Sequence, residues 1–423
     1  MKHHCHQPDP PGEALRGQPT SHRQPDTSPG IRVIKTYKVE LDPNAKQQEA
    51  LLRHAGTARF IWNWALARRQ EIYAKTKKGP SFIDQNNELT AIKNEHFPWM
   101  NEIASRVREG ALRDLDKAFK AFFRRLKAGE KPGYPKPRTR RKGIGGFWTY
   151  GARVTGTHVS VPLIPGIKLK ERGRLPVGTH KGGRITERAG RWFISIPVET
   201  DIAAPENDGS PIGIDVGINA LAVTSDGETF DAPKPLKANL KKLRRLSRAH
   251  GRRQKGGANR RKSAQRLARL HYRIACIRQD ALHRITTHLA KNHGLIAIED
   301  LNVQGMARNR HLSRAILDMG WYEFRRQLEY KCLWYGSKLV VVPAPYTSRT
   351  CSDCGHIKTD LALSERVFRC EACGMVLDRD LNAARNILVA AKPAETLNAW
   401  GGTEGKAGPE NQESLRRPLA VGA

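Results

Sequence analysis

The chain has 423 residues, 39% of them apolar, and carries 74 Lys and Arg against 41 Asp and Glu, a formal charge of +33. The length exceeds one ordinary core and predicts roughly two to four packed units, while the apolar share excludes global disorder. A surface this cationic repels itself unless a polyanion neutralises it, so nucleic acid is the expected partner; an anionic membrane surface is disfavoured for want of a lipidation motif or long amphipathic anchor.

Residues 1–30, rich in Pro, Gly, His and Ser, read as a disordered extension, where Cys5 with His3, His4 and His6 is at most an incidental metal-binding tract. The opening MKHHCHQPDPPG lacks the apolar stretch of a signal peptide, and no run approaches the ~20 apolar residues of a membrane span. A cytoplasmic protein with no membrane association is therefore expected, its thiols reduced and its seven cysteines not a disulfide framework. Ile31, Val33, Tyr37, Val39 and Leu41 alternate as a strand over 31–42. Asp42-Pro43-Asn44 then opens helices across 43–130, with core faces at Leu51, Leu52, Ala55, Ala58, Ile61, Trp62, Ala65 and Leu66, and at Leu112, Leu115, Phe119, Phe122, Phe123 and Leu126. A Pro- and Gly-rich loop follows with Lys131, Lys136, Arg138, Arg140, Arg141 and Lys142. Strands are predicted at 159–163, 183–187 and 191–198, the last two joined at Ala189-Gly190. A β unit over 31–42 and 131–205, interrupted by a helical insertion, is the simplest reading.

After a linker over 201–211, Ile212–Gly217 and Ala220–Thr224 read as paired strands, followed by a basic helical stretch, a buried-type strand at 295–299, a helix at 321–335 and a strand at 338–342. That order is α/β. Residues 396–423 read as a disordered tail.

Three acids interrupt apolar elements in this otherwise basic region. Asp215 sits between Gly213 and Gly217, which would let a metal and a phosphate backbone approach; Glu299 ends Leu295–Ile298; Asp380 opens the helix carrying Leu381, Ala384, Ile387 and Leu388. Buried acids require a counter-charge. Phosphodiester hydrolysis requires cations at the attacking and leaving oxygens, and two Mg²⁺ ions held by carboxylates supply them. Spacing alone leaves open Asp300 in place of Glu299 and Asp378 in place of Asp380, and each acid singly has a plain structural role as a turn, strand-end or capping residue.

Cys351-Ser352-Asp353-Cys354-Gly355 and Cys370-Glu371-Ala372-Cys373-Gly374 are two CxxC pairs separated by 15 residues. This is the spacing of two zinc knuckles, and four thiolates leave no open position for water, so a structural Zn²⁺ is expected. Cys276 and Cys332 fall in helical apolar settings. From Lys237 to Arg278 there are 16 Lys and Arg and no acid, including Arg244, Arg245, Arg252, Arg253, Arg260 and Arg261. Solvated faces usually mix signs, so this one reads as a phosphate-binding surface, with a break between two helices at Gly251, Gly256 and Gly257.

GIDVGINALAVTSDG (213–227), IAIEDLNV (296–303), YTSRTCSDCG (346–355), CEACG (370–374), DRDLNAARNI (378–387) and the opening segment at 35–66 together resemble the TnpB family of transposon-encoded RNA-guided endonucleases, relatives of the type V CRISPR effectors. The resemblance spans about 31–390. It implies a multidomain α/β plus β-barrel fold. An RNase H-like (RuvC-type) nuclease core would occupy 206–345 and 375–395, with an inserted zinc ribbon at 346–374. An N-terminal wedge β-barrel (31–42, 131–205) would carry a helical recognition insertion (43–130). It also makes Asp215, Glu299 and Asp380 the magnesium-binding catalytic triad, choosing Asp380 over Asp378, and Cys351, Cys354, Cys370 and Cys373 the zinc ligands. The implied partners are a guide RNA from the transposon end and double-stranded target DNA beside a short target-adjacent motif, with Lys136, Arg138, Arg140, Arg141 and the 237–278 cations contacting nucleic acid. The rival expectations are a strand-transferring transposase on the same three acids, and a non-catalytic nucleic-acid-binding regulator of transposition.

Overall fold

A computed structural model describes residues 31–140, 143–202, 206–343, 346–362 and 365–399, with side chains through Ala391. The chain divides into two compact units, one of Val33–Thr200 and one running onward from Asp201.

The first unit is a six-stranded closed barrel with a helical insertion. Its strands are β1 (Ile31–Asp42), β2 (Gly146–Val154), β3 (His158–Val161), β4 (Ile164–Leu169), β5 (Gly178–Arg188) and β6 (Arg191–Ile202), in the order β1-β4-β3-β2-β5-β6. Inward alternation fills the barrel with Val39, Leu41, Ala152, Val159, Ile167, Ile185, Ile194 and Ile196. β5 and β6 turn through Ala189 and Gly190, both left-handed (φ 56° and 82°), the signature of a two-residue hairpin matched to strand twist. Between β1 and β2 lie α1 (Ala45–Thr76), α2 (Phe82–His96) and α3 (Ser105–Lys127). Asn44 caps α1: its side chain accepts from Gln47 N, and Gln47 Oε1 accepts from Asn44 N. The stripe on α3 is core only as far as Phe119; Phe123 and Leu126 are more than half exposed, correcting the expectation that the whole stripe is buried.

The second unit is built on a mixed sheet, β11-β10-β7-β8-β9. Its strands are β7 (Ile212–Asp215), β8 (Ala220–Thr224), β9 (Thr229–Asp231), β10 (Leu295–Glu299) and β11 (Lys338–Val342). β7, β8 and β9 run antiparallel, whereas β10 lies parallel to both β7 and β11. This is the α/β order expected from the sequence, a strand hairpin followed by helix, strand, helix and strand. α4 (Pro235–Gly251) and α5 (Ala258–Asn292) form a helical hairpin, followed after β10 by α6 (Val303–Met306), α7 (Ser313–Met319) and α8 (Trp321–Tyr335). One face of the sheet is covered by Leu282, Leu289, Phe324 and Leu328 from α5 and α8. A small β12 (Val367–Arg369) and β13 (Val376–Asp378) hairpin precedes α9 (Arg379–Ala399), so helix continues past residue 395. Among the described residues no helix is long and apolar enough to cross a membrane.

Candidate active site and zinc centre

Parallel pairing of β7 and β10 sets Ile214 opposite Ile298, so the next residue of each strand, Asp215 and Glu299, leaves the sheet at the same end. Four apolar residues precede Glu299 and all are buried. α9 lies against β7 so closely that a Cβ on Gly213 would sit 2.1 Å from Ala384 O and 2.8 Å from Leu388 Cβ. The glycine expected to admit a metal therefore admits a helix instead. That helix carries Asp380 in its first turn, and a Cβ at Gly217 would lie 4.0 Å from Asp380 Oδ2.

The electrostatics agree. Burial, then the charges of Glu299 and Asp380, push the Asp215 carboxyl up to about 8, with Arg379 opposing. Burial also raises Glu299, against a hydrogen bond donated by the Thr347 hydroxyl to Oε1. Asp380 lies 3.4 Å from Arg379 and 3.9 Å from Arg366. The neighbouring acids are otherwise engaged. Asp300 pairs with Arg325 at 2.6 Å. Asp378 caps α9, accepting from Asp380 N at 2.9 Å and Leu381 N at 3.1 Å. Among the described residues the three carboxylates do not form one tight ligand cluster; only the cysteines bring all their ligand atoms within 4.8 Å of one another. A wider acid spacing suits two ions roughly 3.5–4 Å apart, and a buried Asp215 carboxyl with the charges of Glu299 and Asp380 upon it belongs to a donor set for hard divalent cations.

Sequence reasoning missed the residues that support these acids. Asn386 Nδ2 donates to Thr347 O (2.8 Å) and Thr350 O (2.6 Å), and Asn382, fully buried, donates to Thr350 O and accepts from Ser352 N (2.9 Å). α9 thus holds the strand-to-ribbon segment whose Thr347 orients Glu299. Asparagines on a helix face give no distinctive signal until the segment they grip is known.

Cys351, Cys354, Cys370 and Cys373 converge as their spacing predicts. Cys351 and Cys373 sulfurs lie 3.7 Å apart and those of Cys354 and Cys370 3.5 Å, near the ~3.8 Å edge of a tetrahedron with ~2.3 Å metal bonds. Each knuckle closes on a left-handed glycine, Gly355 (φ 77°) and Gly374 (φ 76°), whose N–H returns to the first cysteine's carbonyl. Cys276 and Cys332 are buried in helices.

The basic stretch becomes the α4–α5 hairpin, broken at 252–257. Arg244, Arg245, Arg252 and Arg261 are exposed, whereas Arg253 is half-buried and Arg260 is engaged inside the hairpin, donating to His250 O and Arg253 O (3.1 and 2.6 Å). Asp318 accepts from Leu236 N and Lys237 N at 3.1 Å and pairs with Arg278 at 2.7 Å, seating the start of α4. In the barrel unit Lys136 and Arg140 are exposed, but Arg138 stacks 3.6 Å over Trp62 and pairs with Asp114, a fold contact rather than a free cation. Arg141 and Lys142, the segment 1–30 with its His and Cys tract, and the chain beyond Ala399 lie outside the described residues.

Residues 195–310 match the family described as "Probable transposase" (OrfB_IS605), 321–387 the Cas12f1-like TNB domain, and 33–78 a "Helix-turn-helix domain". In this chain the last segment is β1 and the single uninterrupted helix α1. The chain is 35% identical to InsQ of Escherichia coli (strain K12), named an RNA-guided DNA endonuclease, over 85% of this chain and 93% of that one. A similarly named protein of Streptomyces pristinaespiralis is 34% identical, over 86% and 90%. In fold the chain is similar to the protein in "Cryo-EM structure of the Cas12f1-sgRNA-target DNA complex", with TM-score 0.52 and 14% identity, covering 85% of this chain and 99% of that one.

Proposed function

The chain belongs to the TnpB family, the relatives of the type V CRISPR effectors, and from that premise we propose that it is an RNA-guided DNA endonuclease cutting with Asp215, Glu299 and Asp380. The observation that carries the active site is the buried Asp215 carboxyl, pushed up to about 8 first by burial and then by the charges of Glu299 and Asp380 beside it. Such a carboxyl binds a proton unless a cation takes its place. Bound Mg²⁺ ions would supply positive charge at the attacking and leaving phosphate oxygens and activate the water. Asp215 and Glu299 project from rigid strand ends, Thr347 orients the Glu299 carboxylate, and α9 brings Asp380 to them. The zinc centre is structural, holding the ribbon between β11 and α9. The exposed cations of α4–α5 bind phosphates of a guide RNA from the transposon end and of the double-stranded target, chosen by base pairing beside a short motif, and the barrel with its helices reads that motif as a wedge and recognition unit.

The family description as a transposase favours one second reading, strand transfer by the same acids without RNA. Protein expressed with its flanking transposon DNA separates the two. Co-purified RNA is sequenced, and a plasmid library matched to it is tested for cleavage with Mg²⁺, with RNase, and with Asp215→Ala. Cutting that needs RNA, metal and Asp215 is the expected result; RNA-independent joining establishes the transposase.

A further inference from the structure

We propose that the cleft at the start of α3 holds one unstacked nucleotide of a bound nucleic acid, its phosphate on Arg108 and its base against the aromatic and apolar wall. The cleft has a volume of about 370 Å³ and is lined by residues including Ile103, Arg106, Arg108, Tyr150 and Leu163. That is far more than a lone ion fills and within the ~300–1,000 Å³ of small-ligand sites.

Its polar end holds the Arg108 guanidinium, whose buried Nε has no hydrogen-bond partner, and burial lowers the guanidinium's pKa from its ordinary value. The carboxylate whose charge reaches Arg108, Glu109, commits one oxygen to Arg106 and the other to Arg113 at 2.8 Å. A half-buried guanidinium with a buried, unpartnered N–H is left short of a hydrogen bond, and a phosphate supplies it. Beside Arg108, α3 begins at Ser105 with no side-chain cap and no acid in its first turn, leaving N–H groups and a positive helix end toward the same space.

The other wall suits a base. The Arg106 guanidinium lies 5.4 Å from the Tyr150 ring centre, a cation and a ring forming one face. At the rim Leu163 is 61% exposed and is held left-handed (φ 65°) in the β3–β4 turn. A leucine is strained in that region of backbone space, and such strain gathers at ligand sites. Exposed apolar side chains of this kind part stacked bases, and stacking on an aromatic contributes roughly tenfold to a hundredfold in affinity per base. The inference rests on the proposed nucleic-acid binding but not on cutting, since the cleft belongs to the Val33–Thr200 unit and contains none of the three acids.

The test uses the full chain with hexanucleotides bearing a single 5-iodopyrimidine, one set DNA and one RNA, cross-linked by ultraviolet light and mapped by mass spectrometry. A cross-link at Tyr150 is expected, and the set that forms it identifies the strand type. Arg108→Gln should weaken it about tenfold, Arg108→Lys should restore part, and Leu163→Ser, which removes an exposed side chain from the turn, should weaken it as well. Asp215→Ala should leave it unchanged, so loss of cutting and loss of this site are read apart. Absence of any cross-link within 148–150 from both sets, or one undiminished in Arg108→Gln and Leu163→Ser, overturns the proposal.

Discussion

Gly213→Ala is a one-methyl test of how the active site is assembled. The added Cβ would lie 2.1 Å from Ala384 O, whereas ordinary contact begins at 3.4 Å, so α9 or β7 must yield by about 1.3 Å. The opposing atoms are helix backbone and cannot rotate away. Overpacking of this kind costs about 1–3 kcal/mol. The larger effect is on activity: α9 carries Asp380, and a misplacement of ~1 Å in a catalytic constellation costs about 10²-fold, or ~2.7 kcal/mol of barrier. Guided DNA cleavage should be assayed under single-turnover conditions, well below the unfolding transition, beside a far-UV melt. The expected result is a cleavage loss near a hundredfold with most of the protein still folded. Wild-type cleavage by Gly213→Ala, or a loss no greater than its unfolded fraction, would refute the claim that the β7–α9 seat sets Asp380.

Three further outcomes are expected. Among the described residues the ribbon's own core is Cys351, Phe368 and Cys370 with Leu361 and Met375 against them, so a strong chelator should extract one zinc per chain and open 346–374 to proteolysis; retained protection without zinc would contradict a structural metal. Lys331, 1% exposed and donating to His283 O, Thr286 Oγ1 and Thr287 Oγ1 at 2.7–2.8 Å, is lowered by burial from 10.5 to about 7. Between those values the unfolded chain holds the proton and the folded chain releases it, so this group makes stability rise with pH from about 7 to about 10.5, by up to ~1.4 kcal/mol per unit. Denaturant melts of wild type and Lys331→Met should therefore show wild type gaining on the variant between pH 7 and 9, and a pH-independent difference sinks the assignment. Replacing exposed Arg244 and Arg245 by Gln should flatten the dependence of log Kd on log salt by about 0.9 for each duplex phosphate these side chains neutralise; an unchanged slope removes both from the interface.

Much of the second unit is legible in the sequence because its signals are local. Short apolar strands end in acids, and paired cysteines have few alternative uses. Spacing cannot separate Asp378 from Asp380, since both precede the same helix; in the structure Asp378 makes the capping bonds, and the charges of both acids reach Asp215, that of Asp380 more strongly. Gly213 stands out in the sequence for a reason that does not hold, because close helix packing and close ligand approach leave the same residue behind. β2 and β4 escape a reading by alternation because Gly146, Gly151 and Gly166 punctuate them. The α3 stripe overruns its burial because periodicity reports which face is apolar, not how far the partner extends. The cleft is illegible altogether, as its walls come from stretches far apart in the chain.

The dependence of the site on α9 also orders events in time. Asp380 follows Asp215 by 165 residues, so at about 5–20 residues per second the ribosome takes on the order of ten seconds or more to deliver the third acid after the first. Until then the nascent sheet has no helix over Gly213 and no residue to gather the ribbon through Asn382 and Asn386. A polypeptide still in synthesis therefore holds Asp215 and Glu299 without Asp380, and on the proposed reading the capacity to cut arrives late.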